Sequence, residues 1–329
     1  MPSFSQKMKI AFLGLDNAGK TSILTALKRK FDFMDQISKL KPTLSVDRNS
    51  FSFNFLNTQV MQFDFGGQLK YRNEYLEHKD RYLSETDLIF YIIDVQDPLR
   101  FKETLGYFNE IAEYYKSEGT KMTFIIFLHK IDPSLRTDPG KDDIYREMIG
   151  EVMVLKKIMN DWLPVHDLYF FESSIYDIVS LIRAFSFGMQ RIFTKREILD
   201  DFLTSVGRDF HTISMMLFDE NGISLSEYFR EHLTEEEREK CRELFLNALK
   251  RIADEVSNTY EFSDWISYSK RVSGVIQGFQ VGYLWFYCIA IIDETSEEEA
   301  VDLLDKFEAY KKDLSDILEG FIAETRIPI

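Results

Sequence analysis

A glycine-rich loop near the start of the chain constrains the fold more than any other feature. Gly14-Leu15-Asp16-Asn17-Ala18-Gly19-Lys20-Thr21 satisfies the pattern GxxxxGK[ST]. The apolar run Lys9–Gly14 before it is typical of a short strand, and the apolar spacing after it predicts a helix. Glycine lets such a loop curl until its N–H groups point inward at a phosphate chain, and the helix N-terminus adds positive potential. Strand, loop and helix together predict a phosphate-binding α/β domain.

Two side chains of this loop have predicted chemical roles. We expect Lys20 to reach the β- and γ-phosphates and to act in catalysis there, and we expect the Thr21 hydroxyl to hold Mg²⁺. The alternative is a chance match to the pattern. The strand predicted before the loop and the helix predicted after it argue against this alternative, because a chance match would not need that context. The other predicted nucleotide contacts in this segment are Gly14, Asp16, Asn17, Ala18, Gly19 and Ser22.

The segment Asp64-Phe65-Gly66-Gly67-Gln68 follows the next strand that the sequence predicts. A carboxylate at Asp64 can hold the Mg²⁺ shell, and glycine at Gly67 lets a backbone N–H approach the γ-phosphate. Gln68 can orient the attacking water, so we assign catalytic roles to Gly67 and Gln68. The alternative is a glycine turn that only ends a strand, and the phosphate loop upstream argues against it.

Residues that could recognise a base follow a later apolar strand, in His129-Lys130-Ile131-Asp132. A carboxylate such as Asp132 can accept hydrogen bonds from both the N1–H and the exocyclic amine of guanine. Adenine offers no such pair of donors, so Asp132 favours GTP over ATP. Lys130 can lie along the base or brace the phosphate loop, and His129 belongs to the same predicted binding segment. The alternative interpretation is a polar strand end without a ligand.

A weaker signal for the same site is formed by Ser173, Ser174 and Ile175, which follow a third apolar strand. Their backbone N–H groups and hydroxyls could contact the guanine carbonyl, but serine pairs are also common helix N-caps. The five histidines of the chain are too scattered to predict a metal site of their own.

Strand-like and helix-like segments alternate through the first half of the chain. Continuous apolar runs at Leu88–Val95, Met122–Leu128 and Leu168–Phe171 are typical of strands buried on both faces of a parallel sheet. Phe51–Phe55 and Val60–Phe65 predict a hairpin. The order predicts an α/β domain with a doubly wound, mostly parallel sheet. The intervening amphipathic stretches lie near residues 68–84, 98–116, 144–160 and 176–193.

The second half has a different charge and a different order of elements. Residues 193–329 carry 15 basic and 29 acidic side chains, a formal net charge of −14, whereas residues 1–192 have a net charge of −1. We therefore predict two domains with these boundaries. Periodicity in the second predicts the order α-β-β-α-β-β-β-α, a smaller α+β fold. Its first helix is predicted to end at Gly207, and Thr234 with Glu237 predicts a capping box for its second.

The composition argues against several classes of protein. A hydrophobic content of 45% rules out a disordered chain, and a formal net charge of −15 argues against a nucleic-acid binder. Two cysteines without a CxxC pattern are typical of a reducing compartment. The N-terminal residues show neither a signal-peptide core nor the glycine that myristoylation needs, and no apolar run is long enough to cross a bilayer. A cytoplasmic location is therefore expected.

The order of these motifs resembles that of the Ras-superfamily small GTPases over residues 8–192. GLDNAGKTS, Lys41-Pro42-Thr43 and DFGGQ are similar to the Arf-like branch, whereas HKID and FFESSIYD resemble the Rag/Gtr branch more closely. In most small GTPases an asparagine stands where this chain has His129. The resemblance implies GTP and GDP as ligands, Mg²⁺ as the cofactor and slow GTP hydrolysis. It also implies that Thr43 binds Mg²⁺ and the γ-phosphate in the GTP state, within mobile switches at residues 36–48 and 65–80.

The second domain resembles the roadblock/longin-type domain that follows the GTPase domain in Rag/Gtr proteins. This resemblance implies a homodimer, or a heterodimer with a related GTPase, formed through residues 193–329 and docked on a roadblock-type scaffold. It also implies GTPase-activating and exchange factors as partners, and contact with a membrane surface only through partners. Two alternatives stay open. One is an Arf-like trafficking GTPase with a fused effector domain, and the other is a scaffold subunit that binds nucleotide with negligible turnover.

Overall fold

The computed structural model describes residues 7–29, 46–55, 58–162, 164–193, 196–220, 222–255, 262–269, 271–293 and 297–324. Thr43, most of the first predicted switch and residues 56–57 of the predicted hairpin connection lie outside these residues, as does the side chain of Asp64. Contacts between Cα atoms group most of residues 6–184 into one compact unit and residues 185–329 into another. The boundary between independently folding domains at residues 192 and 193 stays a prediction.

The first unit contains a six-stranded sheet with the strand order β2-β3-β1-β4-β5-β6. Parallel pairing joins β3 to β1, β1 to β4, β4 to β5 and β5 to β6, which confirms the predicted mostly parallel sheet. The carboxyl ends of these strands therefore meet at one edge, where α/β sheets of this kind bind ligands. The strands are β1 (Lys7–Gly14), β2 (Val46–Phe55), β3 (Thr58–Phe65), β4 (Leu88–Asp94), β5 (Thr123–His129) and β6 (Asp167–Ser173).

The centre of this sheet is apolar because its middle strands are covered on both faces. All of β4 except Asp94 is buried, and all of β5 except Thr123. Phe90 stacks on Phe12 with ring centroids 4.8 Å apart, and it meets Phe127 edge-on at 5.6 Å. The continuous apolar runs of the sequence thus correspond to the buried middle of the sheet.

The helices of the first unit follow the strands in alternation, as the sequence predicts. One predicted helix is wrong in detail, because the stretch near residues 68–84 is divided at His78, whose backbone is not helical (φ −123°, ψ 48°). The break accompanies an aromatic cluster in which Tyr75 lies 5.0 Å from both Phe65 and Tyr82, measured between ring centroids. The helices are α1 (Lys20–Arg29), α2 (Leu69–Glu77), α3 (Lys79–Tyr82), α4 (Phe101–Ser117), α5 (Pro133–Thr137) and α6 (Asp142–Trp162). A further helix, α7 (Ile178–Ile192), includes residue 184, where the contacts divide the chain into its two units.

The second unit is built on an antiparallel five-stranded sheet with the order β8-β7-β11-β10-β9. The predicted order α-β-β-α-β-β-β-α is confirmed. The predicted capping box is also present, because the Thr234 N–H donates to Glu237 Oε2 at 2.8 Å and the Glu237 N–H donates to Thr234 Oγ1 at 3.3 Å. The elements are α8 (Arg196–Asp209), β7 (Ser214–Asp219), β8 (Ser224–Phe229), α9 (Glu235–Glu255), β9 (Phe262–Ser269), β10 (Val272–Val281), β11 (Leu284–Asp293) and α10 (Glu297–Glu324).

Gly207 does not end its helix, so the prediction for this residue is wrong. Helix α8 continues to Asp209, and Gly207 lies directly against the ring of Tyr228 on β8. A Cβ atom at this position would lie only 2.3 Å from Cδ1 of Tyr228. The glycine is therefore explained by close packing of α8 on the sheet.

Among the helices that the structure describes, none combines the length and the apolar character that crossing a bilayer demands.

We predict that Gly207→Ala lowers the free energy of unfolding by about 1–3 kcal/mol, the usual cost of overpacking a core. The matched control is Gly320→Ala in α10, where an added Cβ meets nothing within 4 Å. Since alanine is the better helix former, that variant should gain about 0.5–1 kcal/mol. Urea denaturation of the two variants beside the parent protein measures both effects, and an unchanged midpoint for Gly207→Ala would contradict the packing argument.

Candidate functional site

The predicted phosphate loop connects β1 to α1 and curls through unusual backbone angles. Gly14, Asn17 and Gly19 have φ values of 141°, 61° and 99°, and glycine and asparagine tolerate this region best. A Cβ on Gly14 would lie 2.3 Å from the carbonyl oxygen of Ile92, and a Cβ on Gly19 would lie 2.6 Å from Cδ2 of His129. Both glycines are therefore required by close approaches as well as by backbone angle.

Lys20 brings a positive charge into the loop. It is only 5% exposed, and its Nζ donates to the carbonyl oxygens of Gly14 at 3.0 Å and Leu15 at 2.7 Å. Thr21 and Ser22 follow in the first turn of α1 and are half-buried, and Ala18 is buried within the loop. The loop thus wraps around an ammonium group at the start of a helix, which is an arrangement that suits a phosphate chain.

The segment after β3 lies against this loop. The Asp16 N–H donates to the carbonyl oxygen of Gly67 at 3.0 Å, and a Cβ on Gly67 would lie 2.3 Å from the Asp16 nitrogen. Gln68 is half-buried and precedes α2 with an extended backbone. The structure therefore places Gly67 against the phosphate loop, with Gln68 next in the chain, and the catalytic roles of both stay predictions.

The predicted base-recognition residues lie at the same edge, at the ends of β5 and β6. The register pairs His129 with Ser173, and His129 Nδ1 lies 3.0 Å from Ser173 Oγ. The hydroxyl of Ser174 donates to Oδ1 of Asp132, and its oxygen accepts the Tyr176 N–H at 3.1 Å. Ile175 follows with a half-buried side chain. These contacts fix the orientation of the Asp132 carboxylate.

Two residues of this edge were missed by the sequence analysis. Asp94, the last residue of β4, forms an ion pair with Lys130 at 2.5 Å. Gln96 Nε2 donates to the carbonyl oxygen of Lys130 at 2.7 Å and lies 3.5 Å from Oδ2 of Asp132. Their position at the carboxyl end of an apolar strand is the signal that could have found them, since neighbouring parallel strands end at the same edge.

The charges at the site are set by burial and by near neighbours. Burial, and then the charge of Lys130, lower the pKa of His129 from 6.5 to about 3, so its ring is neutral near pH 7. Burial opposes ionisation of Asp16 as well, but the hydrogen bond and charge of Arg100 outweigh it, and the pKa of Asp16 is lowered. The loop therefore carries an ionised carboxylate and an ammonium, with a neutral imidazole behind Gly19.

The residues of the site fit a nucleotide. The structure describes only some of the predicted Mg²⁺ ligands. The curled loop around Lys20 suits phosphates, and the oriented Asp132 carboxylate suits a base with two donors. Of the predicted metal ligands, Thr21 lies in the described part of the chain, whereas Thr43 and the Asp64 side chain lie outside it. Within that part, no group of three or more His, Cys, Asp or Glu residues is placed to hold a metal ion.

We predict that His129 makes the protein less stable in acid. The unfolded residue takes up a proton near pH 6.5, whereas the folded residue does so only near pH 3. Its neutral form therefore stabilises the fold fully above pH 6.5, and this stability is lost as the pH falls towards 3. Over that window the parent protein should lose about 1.4 kcal/mol per pH unit more than His129→Asn, which cannot titrate. Urea denaturation at pH 7, 6 and 5 tests this, and parallel curves would contradict it.

Comparison with known proteins assigns the chain to a family. A family model described as "Gtr1/RagA G protein conserved region" matches residues 9–254, which is more than half of the chain. The match spans the phosphate loop, Gln68 and Asp132, and it confirms the resemblance to Rag/Gtr proteins.

Arf-like proteins are also similar to part of the chain. ADP-ribosylation factor-like protein 3 from Chlamydomonas reinhardtii is 32% identical over 124 residues, which are 38% of this chain and 63% of that protein. ADP-ribosylation factor-like protein 13B from the same organism is 34% identical over 108 residues, 33% of this chain and 18% of that protein. The chain thus matches less than two thirds of the length of these relatives.

One solved structure is similar at a lower level. It is that of the Arl6 BBS3 small GTPase from Trypanosoma brucei with the bound nucleotide analogue GppNp. Its TM-score is 0.41 at 19% identity, over 57% of this chain and 98% of that one, and this similarity is too low to support an assignment. The assignment depends instead on the family model, whose match extends over most of the chain. The chain therefore belongs to the Gtr1/RagA family of G proteins and is related to the Arf-like GTPases.

Proposed function

We propose that this chain is a switch that binds GTP and hydrolyses it to GDP and inorganic phosphate. One observation carries the proposal: the phosphate loop contacts both the Gln68 segment and the base-recognition edge. The Asp16 N–H meets the Gly67 carbonyl at 3.0 Å on one side, and Gly19 packs against His129 on the other. A ligand with phosphates at one end and a base at the other would span this arrangement. Membership of the Gtr1/RagA family supports it.

In the proposed complex, the loop and the strand ends bind different parts of the nucleotide. Lys20 is held inside the loop by two carbonyl oxygens, where the β- and γ-phosphates would lie. The backbone N–H groups of the loop and the helix N-terminus would donate to the same phosphates. The Asp132 carboxylate, oriented by Ser174, would accept the two donors of guanine, which selects GTP over ATP.

Hydrolysis needs a positioned water and a stabilised phosphoryl group. The Gln68 amide would hold the water, and the Gly67 N–H would stabilise the γ-phosphoryl oxygens. The water oxygen bonds to the γ-phosphorus as the bond to the β–γ bridging oxygen breaks, and a proton passes to solvent. Mg²⁺ would neutralise phosphate charge when held by Thr21, Thr43 and Asp64.

The proposed turnover is slow without a partner. No arginine directly precedes Thr43, and Lys41, the nearest cation in the sequence, lacks the fork of a guanidinium. An activating partner that supplied an arginine would accelerate hydrolysis by about 10³–10⁵-fold. GTPase-activating and exchange factors are therefore the proposed regulators of the switch.

The second unit is the proposed docking region. Its α-β-β-α-β-β-β-α order supports the resemblance to roadblock/longin-type domains. We infer a homodimer, or a heterodimer with a related GTPase, that forms through residues 193–329 and docks on a roadblock-type scaffold. Such an assembly would work in the cytoplasm and reach a membrane surface through its partners.

We predict that Gln68→Leu slows single-turnover GTP hydrolysis by at least about tenfold, because leucine cannot hold the water. The Kd for GTP should stay within about threefold, since Gln68 is assigned no ground-state contact. Gln280→Leu, the same substitution at an exposed position of the second unit, is the control. An unchanged rate in Gln68→Leu would refute the assigned role, and a parent protein that binds GTP without turnover would favour the scaffold alternative.

We predict a mass near twice 38.8 kDa in light scattering of the full-length protein, with GDP and with a non-hydrolysable GTP analogue. A dimer in only one nucleotide state would mean that the bound nucleotide controls dimerisation. A monomer in both states would contradict the homodimer and leave the heterodimer as the form to test by mixing with a related GTPase.

A further inference from the structure

Two arginines and one glutamate that have no assigned role at the site contact two of its predicted residues, Asp16 and Gly67, directly or through one another. Arg100 ends a short 3₁₀ turn, Pro98–Arg100, between β4 and α4. Its Nη2 lies 2.7 Å from Asp16 Oδ1, and its Nη1 donates to the Asp16 carbonyl oxygen at 3.1 Å. One guanidinium therefore holds both the side chain and the backbone of the same loop residue, a geometry that the arginine fork suits.

Arg72 makes the corresponding contact with the Gln68 segment. It lies on α2 and is only 4% exposed. Its Nε donates to the Gly67 carbonyl oxygen at 2.8 Å, and its guanidinium carbon lies 5.3 Å from the centroid of the Tyr107 ring on α4. An arginine buried to this degree is stable only when its donors and charge are satisfied.

Glu103 on α4 joins the two arginines. Its Oε2 accepts from Arg100 Nε at 3.0 Å, and its Oε1 accepts from Arg72 Nη2. The hydrogen bond from Arg100, and then that from Arg72, lower the pKa of Glu103, so the carboxylate stays ionised. Two cations and the two anions Glu103 and Asp16 thus balance in one cluster.

The contacts close into a ring. From Asp16 it runs through Arg100, Glu103 and Arg72 to the Gly67 carbonyl, which also accepts the Asp16 N–H at 3.0 Å. A movement of Gly67 away from the loop would therefore break its hydrogen bond from Asp16, and, if α2 moved with it, the contact between Arg72 and Glu103 as well. The ring therefore connects the phosphate loop and the segment after β3 to α2, α4 and the 3₁₀ turn before α4.

We propose that Arg72, Glu103 and Arg100 are positioning residues that hold Gln68 over the phosphate loop and so set the rate of GTP hydrolysis. The proposal rests on the proposed function, and it adds α4 as an element that controls the reaction without touching the nucleotide. Positioning of this kind has a large effect on rate, because a displacement of about 1 Å can cost about 10²-fold.

The central test is Glu103→Gln in the full-length protein, which keeps the volume of the side chain and removes its charge. Single-turnover hydrolysis of GTP that is already bound to the protein should slow by about tenfold, while the Kd for GTP stays within about threefold. Glu110→Gln is the matched control, because Glu110 lies on the same helix and forms an ion pair with Lys79 at 3.0 Å outside the ring. It should hydrolyse GTP like the parent protein.

The arginines are tested by Arg100→Lys, Arg72→Lys and the double variant. Because both act through one ring, the double variant should be no more than about twice as slow as the slower single variant. Effects that multiply would show that the two arginines act independently and would overturn the proposal. If the variant of the buried Arg72 fails to fold, Arg100→Lys alone tests the proposal. An unchanged hydrolysis rate in Arg100→Lys would overturn the proposal.

A second readout needs no GTP turnover and separates this proposal from the proposed function. Hydrogen exchange measured by mass spectrometry should show about tenfold faster exchange in Glu103→Gln at both the phosphate loop and residues 65–77. Faster exchange at only one of these segments overturns the ring. If the parent protein turns over no GTP, the proposal of GTP hydrolysis is wrong. The hydrogen-exchange measurement then decides by itself whether the ring joins the two segments.

Discussion

The site depends on how closely backbone segments approach one another around the phosphate loop. A Cβ on Gly14 would lie 2.3 Å from the carbonyl oxygen of Ile92, and a Cβ on Gly67 would lie 2.3 Å from the nitrogen of Asp16. No side chain can be placed at such distances, so strand β4 and the segment after β3 touch the loop directly. The shape of the loop is therefore set by the backbone segments that it touches.

Much of the fold and the backbone of the site could be predicted because their signals are local. The phosphate loop is specified by eight consecutive residues, and buried strands such as Leu88–Asp94 are continuous apolar runs. Once the strands are parallel neighbours, their carboxyl ends share one edge, and the pairing of His129 with Ser173 follows from the register of β5 and β6. The order of elements in the second unit was predictable for the same reason, since each element carries its own periodicity.

The rest could not be predicted because it depends on contacts between distant segments. Arg100 and Asp16 are 84 residues apart, and no local spacing encodes their ion pair. Arg72 belongs to a residue type that is mostly exposed, yet it is buried because the Gly67 carbonyl and Glu103 accept its donors. Gly207 likewise has the pattern of a helix end, and only its contact with the ring of Tyr228 explains why a glycine stands inside the helix.

The contact between Gly19 and His129 makes two recognition motifs inseparable. The imidazole edge lies where a Cβ of residue 19 would be, and the same ring reaches Ser173 behind the base-recognition edge. A side chain at residue 19 would therefore displace the ring that also reaches Ser173, and it would disturb the phosphate loop and the base-recognition edge together.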